Sequence, residues 1–506
     1  MPENLASFKV FCQGGLNTSR DVLSQGENQP GSATALINYE PAVTGGYRKI
    51  NGFANNYGTV TGTGSVLGVC VADGINDGIF ACRTPSSGNN YLHKWNNSSS
   101  AWQAITTSGS PTMTGVTKVR FSRLNFGTPK IVLTDGINPA ATYDGSTYTQ
   151  ITHSDAPTDP KFSAIFQNHL FLAGDPAHPT KLYHSAPLAE TDFASANGAG
   201  VINVGFPIVA IKSFRNELFI FGSTNIKKLS GTALANFAVQ TVTDDLGCLA
   251  TDSVIEIGGD LLFLSQDGLR PISGTAKIGD VNLETVSKNI QSIFTDIVFD
   301  IDLDTLNAVV IRQKTQFRYF FGAADSQGII GGFRQTPNGL QFEYSQMLGI
   351  TATCAASGYI GQNEFVLHGT SDGKVHRQEQ GNSFAGENIF SIFQTPFFHM
   401  QDPEQRKIFY NVATYLRSEG DNSIVMSAVY DYEDVDTLNP TNFNLSTTGA
   451  AAFYNEALYN STAIFDGNPS PVQRTNISGS GKSASLKFVT NDTSASHSIQ
   501  GLVITF

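Results

Sequence analysis

A short apolar run closed by Gly or Asp-Gly keeps returning along the middle of the chain, and this recurrence restricts the fold more than any other feature. The copies are GIFACRT at Gly78, KIVLTDG at Lys130, HLFLAGD at His169, ELFIFGS at Glu217, DLLFLSQDG at Asp260, RYFFGAA at Arg318 and EFVLHGTSDG at Glu364. Counted from Ile79, Ile131, Leu170, Leu218, Leu261, Tyr319 and Phe365, they stand 52, 39, 48, 43, 58 and 46 residues apart, which is the spacing of propeller blades. An alternating segment with a polar end precedes most copies: TKVRFSRLN, KFSAIFQN, PIVAIKSFRN, SVIEIGGD and NAVVIRQKT. A second strand-like piece follows: AATYDGS, KLYHSAP, NIKKLSGT, GLRPISGT and GKVHRQEQG. The unit is therefore strand, tight turn, strand, turn, strand, with Gly and Asn supplying the positive φ that short hairpins need. A fourth, outer strand is poorly marked. Such a meander has two apolar faces and an open edge, and radial repetition buries the faces against neighbouring units. Six or seven units fit between about Ser65 and Phe390, the first and sixth being the most divergent. A run of unrelated hairpins in one large sandwich leaves the spacing unexplained.

The flanks read differently. Residues 1–64 are rich in Gly, Asn and Ser and look like an arm, with one strand candidate, FKVFC at Phe8, and one helix-compatible piece, SATALINYE at Ser32. FKVFC is the segment expected to supply an outer blade strand, or to reach a neighbouring subunit. From about Gln394 the blade pattern stops and longer alternating strands appear: KIFYNVATYLRSE, SIVMSAVYDYED, SASLKFVTN and SIQGLVITF. These predict an antiparallel sandwich. The one persuasive helix is SKNIQSIFTDIV, where Ile290, Ile293, Phe294 and Ile297 share a face and Ser287 is placed to cap. The expectation is an all-β chain: an N-terminal arm over 1–64, a six- or seven-bladed β-propeller over 65–392 and a C-terminal antiparallel β-sandwich domain over 393–506.

Composition narrows the function classes. With 31 Lys+Arg against 43 Asp+Glu the net charge is −12, which argues against a surface that wraps nucleic acid by neutralising phosphates. MPENLASFKVF has no basic start followed by an apolar core, so no secretory signal is expected. The most apolar long region, Val201 to Gly222, is interrupted by Lys212, Arg215, Asn216 and Glu217, which predicts no membrane span. Cys12, Cys70, Cys82, Cys248 and Cys354 are scattered without CxxC spacing, as expected of reduced, buried thiols.

A search for reaction chemistry finds little. SQDG at Ser265 and TSDG at Thr370 superficially resemble the Asp-box of sialidase-type propellers but lack its Gly-to-Thr-Trp continuation, and they read as hairpin turns. Asp300, Asp302 and Asp304 imitate the first half of a calcium loop, which then fails at Thr305 and Ile311. DYEDVD, Asp431 to Asp436, reads as a solvated loop. His178 and His184 straddle Pro179, and His153 stands near Asp155; neither pair has metal-ligand spacing on one element. Walker and strand-linked GxGxxG motifs are missing from the sequence. No catalytic, cofactor-binding or metal-ligating residue is assigned, no cofactor is expected, and the chain is expected not to be an enzyme.

The two ends and the middle carry a family resemblance. CQGGLNTSRDVLSQGENQPGSATALINYEPAVTGGYRKINGF resembles the N-terminal region of the tail nozzle proteins of short-tailed bacteriophages, also called tail tubular or packaged-DNA stabilisation proteins. Gly14 to Asn17, Asn38-Tyr39-Glu40, Gly46-Tyr47-Arg48 and Asn51-Gly52-Phe53 carry it. DDLGCLATDSVIEIGGDLLFLSQDGLRPISG is a second match, and TPFFHMQDPEQRKIFYNV with the closing SIQGLVITF is a third. The resemblance implies a structural virion protein, assembled in the host cytoplasm and residing in the phage tail. It implies a homo-hexamer below the portal and the tail adaptor protein, with tail fibres or a tail needle as further partners. Such a ring extends the DNA conduit, retains the packaged genome and permits its ejection, with double-stranded DNA passing without sequence-specific binding. An acidic lining suits that task, since it repels phosphates over about 8 Å at physiological salt. The alternative is a carbohydrate- or receptor-binding propeller module. A sugar binder should repeat aromatic residues at equivalent blade positions, yet here those positions hold aliphatic or Phe core residues, and Trp95 and Trp102 are the only tryptophans.

Overall fold

The computed structural model describes residues 5–43, 45–275, 285–300, 302–322, 327–336, 339–434, 436–446 and 472–506. All seven apolar runs are the second strands of small antiparallel sheets: Ile79–Thr84, Pro129–Thr134, His169–Ala173, Glu217–Phe221, Asp260–Ser265, Gln316–Phe320 and Asn363–Gly369. The first strands are Thr63–Val71, Arg120–Asn125, Phe162–Phe166, Ala210–Phe214, Ile255–Ile257, Asn307–Ile311 and Cys354–Ile360. Residues of all seven, with the segment just before Ile255–Ile257, line one axial cavity. The propeller therefore has seven blades, and the divergent first and sixth units are among them.

Local chemistry makes each blade. The links Gln167-Asn168, Arg215-Asn216 and Gly258-Gly259 have positive φ at both central residues, the type I′ geometry whose twist matches the strands it joins. Apolar residues then fill the space between blades. Phe80, Leu92, Ile131, Leu133 and Tyr143 lie between the first and second, and Phe171, Leu182, Leu218 and Ile220 between the third and fourth. Val66, Val69, Leu367 and Val375 close the seventh onto the first. Each such side chain contributes about 1.5–3 kcal/mol on burial, which no isolated blade could collect.

Three blades depart from the four-strand pattern, and each departure binds a flank to the propeller. The fifth has only Ile255–Ile257, Asp260–Ser265 and Gly268–Pro271. Its edge meets the helical insertion: Val286 N donates to Leu269 O, and Leu269 N donates to Ser287 Oγ. Ser287 is thus not the expected helix cap, because its hydroxyl serves the blade edge. A 3-10 turn, Lys288–Ile290, leads into the helix Gln291–Asp300, and Ile290 and Phe294 are buried beside the blade. The side chain of Ile297 lies outside the described residues.

In the seventh blade the outer strand is Phe53–Ala54, with Gln378 opposite Phe53 and Arg377 opposite Ala54. In the sixth, the outer strand Gly339–Leu348 continues into the sandwich through Ala35–Ile37, which pairs with Ile389–Gln394 on its other side. SATALINYE is therefore not a helix. It forms the strands Ala35–Ile37 and Tyr39–Pro41, hinged at Asn38 with φ 54°, because unpaired strand edges on both sides of it override local preference. The helix of the arm is Val22–Asn28, capped by Asp21, whose carboxylate accepts from Ser24 N.

FKVFC also departs from expectation. Ser7–Phe11 pairs along His497–Thr505, from Ser7 opposite Thr505 to Phe11 opposite Gly501, so it extends a sandwich sheet instead of completing a blade. One sandwich layer runs Tyr39–Pro41, Tyr47–Lys49, His497–Thr505, Lys407–Ser418, Val472–Gly481, with Ser7–Phe11 also on His497–Thr505. The other runs Ile389–Gln394, Ala484–Asp492, Ser423–Tyr430, Phe443–Ser446. Rings interlock between the layers, as in Phe409 on Tyr430 with centroids 5.0 Å apart and Tyr47 on Phe393 at 5.1 Å. All five cysteines are buried free thiols, and among the described residues no helix is long and apolar enough to cross a membrane.

Asn38 bridges the outer strand of the sixth blade and the sandwich strand Ile389–Gln394. Its amide donates to Leu348 O and Phe390 O, both at 2.8 Å, and accepts from Leu348 N at 3.0 Å. Asn38→Ala strands three backbone groups at a buried seam and should cost about 3 kcal/mol, read as a lower urea midpoint with an unchanged m-value.

Candidate functional site: the joint of arm, propeller and sandwich

The polar residues that converge most tightly sit where the arm crosses from sandwich to propeller. Glu40, Arg48 and Asn51 come from the arm, Lys314 and Arg318 from the sixth blade, Gln378 and Glu379 from the end of the seventh, and Glu419 from the sandwich. Arg48 Nη1 lies 3.0 Å from Glu40 Oε1, and Arg48 Nε donates to Glu419 Oε1 at 2.6 Å. Lys314 Nζ reaches Glu40 Oε1 at 2.6 Å and also pairs with Glu379. Arg318, with a fully buried side chain, pairs with Glu379, lies 3.5 Å from Glu40 Oε2 and donates to Gln378 Oε1 at 2.8 Å. Asn51 accepts from Arg48 at 2.9 Å and donates to Glu379 at 3.1 Å.

Three cations and three carboxylates thus balance in a site buried at Arg318 and Glu40 and partly open to solvent at Glu419. Burial alone would raise the pKa of Glu379, but Arg318, Lys314 and Arg48 outweigh it and hold it down to about 2. Glu419 is likewise lowered, its burial outweighed by Arg48. Buried pairs of this kind add little net stability over an apolar packing, but losing one partner leaves an uncompensated charge. The knot therefore fixes geometry: its side chains come from four segments that must all be in register.

Beside it the arm backbone lies unusually close to its neighbours. Gly15 has φ +67°, and a Cβ there would stand 2.7 Å from Tyr344 N. Gly15 N donates to Tyr47 Oη at 3.0 Å, which in turn donates to Gly31 O at 2.7 Å. Gly46 has φ +85°, with Ile499 O only 2.3 Å from where a Cβ would be. Glu343 accepts from Gly14 N at 2.6 Å and pairs with Arg334 at 2.8 Å.

The axial cavity has a volume of about 610 Å³. Its wall holds one compact ion cluster: Asp252 takes Lys118 at 2.7 Å and Arg120 at 2.8 Å, and Lys118 also donates to Leu306 O at 2.8 Å. Burial would raise Asp252, and the two cations hold it down to about 2. Ser163 Oγ and Ser122 Oγ stand 2.8 Å apart across neighbouring blades, and Lys212 and Glu256 face the cavity's solvent. The cluster ties the second blade to the fifth and sixth.

The other residues singled out in the sequence serve turns and packing. Asp267 of SQDG pairs with Arg270, and Asp372 of TSDG with Lys374 at 2.6 Å. Asp302 accepts from Asp304 N to close a 3-10 turn, and Asp304 faces Lys161 at 3.4 Å; the side chain of Asp300 lies outside the described residues. Asp431 accepts from Lys482 N and Ser483 N, and Asp434 from Asp436 N. His184 is buried against His169, with centroids 5.2 Å apart, whereas His178 sits in an outer turn and His153 Nδ1 accepts from Asp155 N. Among the described residues no three His, Cys, Asp or Glu side chains are grouped as a metal site. Sequence reasoning missed Lys314, Arg318, Glu379 and Glu419. The available signal was Arg318 itself, a lone charge inside the buried run QFRYF.

No family model matches the chain, and no curated protein does. Among solved structures it is similar, at 12% identity and a TM-score of 0.38, to the extracellular domain of a putative one-component system from B. thetaiotaomicron, over 71% of this chain and 42% of that one. An ancestral GH74 enzyme is similar at 12% identity and a TM-score of 0.40, over 74% and 53% of the two chains. Hsv2p from Kluyveromyces lactis is similar at 9% identity and a TM-score of 0.31, over 54% and 82%. The chain spans about half the length or less of the first two.

Arg318→Met should destabilise by about 3–5 kcal/mol, and adding Glu379→Gln should cost much less than the sum of the single changes, as measured by a double-mutant cycle in urea. The joint also makes stability pH-dependent. Burial holds the pKa of His368 and of His497 down to about 3 from 6.5, so each stays neutral in the fold while the unfolded chain takes up the proton. That contribution is complete above pH 6.5 and is lost as pH falls towards 3; the Glu379 contribution is complete above about 4.5 and is lost towards 2. The urea midpoint should decline steadily below pH 6.5, and His368→Asn should flatten its slope between pH 6.5 and 4.

Proposed function

We propose that this β-propeller chain is a structural virion protein resembling the phage tail nozzle, with no reaction centre of its own. Six copies form a ring below the portal and adaptor, extend the DNA conduit, retain the packaged genome and permit its ejection. The observation that carries this reading is the joint. The arm residues that resemble nozzle proteins, Gly15, Asn38, Glu40, Gly46, Tyr47, Arg48, Asn51 and Phe53, are the ones that clamp arm, propeller and sandwich together. A wall that contains pressurised DNA needs such rigidity between its parts, and it needs a surface that does not hold phosphates, which a net charge of −12 suits.

Ligand binding by the propeller is the second reading, favoured by the polar axial cavity with Lys212 and Glu256 on its wall. The two readings separate in one preparation. Electron microscopy of the purified full chain should show rings with a central hole, and a filter-binding assay at physiological salt should show negligible retention of double-stranded DNA. A monodisperse monomer that binds glycans on an array would overturn the ring reading in favour of the second.

A further inference from the structure

One sandwich face combines exposed aromatic and aliphatic side chains with a one-sided charge. The strands Ser7–Phe11, Lys407–Ser418, Val472–Gly481 and His497–Thr505 contain no Asp or Glu, in a chain with 43 of them, yet they carry Lys9, Lys407, Arg417 and Arg474. Their inward side chains, including Val10, Phe409, Val412, Leu416, Ile477, Leu502 and Ile504, fill the sandwich core. Lys407 is drawn inward too, with its ammonium on the carbonyls of Asp402 and Gln405. Facing out are Phe11, 70% exposed, Ile408, 60%, Tyr415, 42%, and Tyr410, 39%, together with the exposed cations Lys9, Arg417 and Arg474. Four large apolar side chains on one sheet face, with only cations among the charged residues of its strands, mark an interaction surface.

The same chain carries a complement. After Ser423–Tyr430 the backbone makes a tight turn, with φ 49°, 60° and 65° at Asp431, Tyr432 and Glu433. Asp431 anchors its base by accepting from Lys482 N at 2.6 Å and Ser483 N at 3.0 Å. Beyond that anchor stand exposed Glu433, Asp434 and Asp436, with Tyr432 43% and Leu438 89% exposed. Leu438 is the most exposed large apolar residue described.

We propose that the outer sheet face is the intersubunit interface of the ring, and that its occupant is the acidic turn with Leu438 of a second copy of this chain. The inference rests on the ring reading and deepens it. Aromatic and aliphatic residues of the face receive Leu438, while Lys9, Arg417 and Arg474 meet Glu433, Asp434 and Asp436. Face and turn are different patches, so the contact is heterologous, the kind that closes into rings when the rotation permits. Matched charge at the rim steers encounter and fixes orientation, and the apolar centre supplies most of the affinity.

The test uses the full chain, with mass photometry and gel filtration at micromolar concentration and thermal melting as a check of the fold. Tyr415→Ser, Leu438→Ser, the face reversal Lys9→Glu with Arg474→Glu, and the turn reversal Glu433→Lys with Asp434→Lys should each weaken association at least tenfold without lowering the melting temperature, since all sit at exposed positions. Combining the two reversals should restore much of the loss. A wild-type ring that tolerates every one of these changes overturns this interface and leaves the ring reading standing. A wild type that stays monomeric overturns both. An oligonucleotide captured by the wild-type face and lost in Tyr415→Ser, with assembly unchanged, assigns the face to nucleic acid and also overturns the proposal.

Discussion

The structure depends on a buried balance of charge. Arg318 has no exposed side-chain surface, and its position is tolerable only because Glu379 and Glu40 stand against it and Gln378 takes another of its donors. Those partners come from the seventh blade and the arm, and Lys314 and Arg48 extend the same network to Glu419 in the sandwich. A buried guanidinium without its carboxylates costs several kcal/mol. The knot therefore penalises any arrangement in which arm, blades and sandwich are not all in place.

The arm is the element through which that constraint acts. In its first 54 residues it closes one sandwich layer beside the C-terminal strand, bridges the sixth blade to the other layer, and supplies the outer strand of the last blade. A propeller is vulnerable where its first and last blades meet, since contacts there span the whole array in sequence. Here the closure is reinforced from both sides: Phe53–Ala54 pairs with the seventh blade, and Thr353 Oγ1 donates to Val66 O of the first at 2.7 Å. Ser7–Phe11 and His497–Thr505 pair with each other, so fraying of either strand costs the other its hydrogen bonds.

Different parts of this architecture were legible to different degrees. The seven apolar runs and their hairpins were plain, because a positive-φ pair such as Arg215-Asn216 and an alternating strand such as AIKSF are local statements. The long sandwich strands were plain for the same reason. Asn38, Glu40, Gly46, Arg48 and Phe53 were visible as motif residues, but what they do was not. The role of Gly46 comes from Ile499, which lies against it. Arg318 was hidden in an apolar strand, and nothing local to Glu379 or Glu419 marks their partners.

The sequence by itself determined that short meanders would form and that they would need to bury one another, since alternation and turn chemistry act over a few residues. Only the tertiary structure decided which segment would occupy each open strand edge. That is why FKVF pairs with the C-terminal strand, SATALINYE makes two strands instead of a helix, and Ser287 serves a blade instead of capping a helix. The physical reason is that an edge offers only backbone N–H and C=O groups, alike in every strand. The choice of partner is made by side chains distant in sequence, among them the ion knot that holds the arm in register.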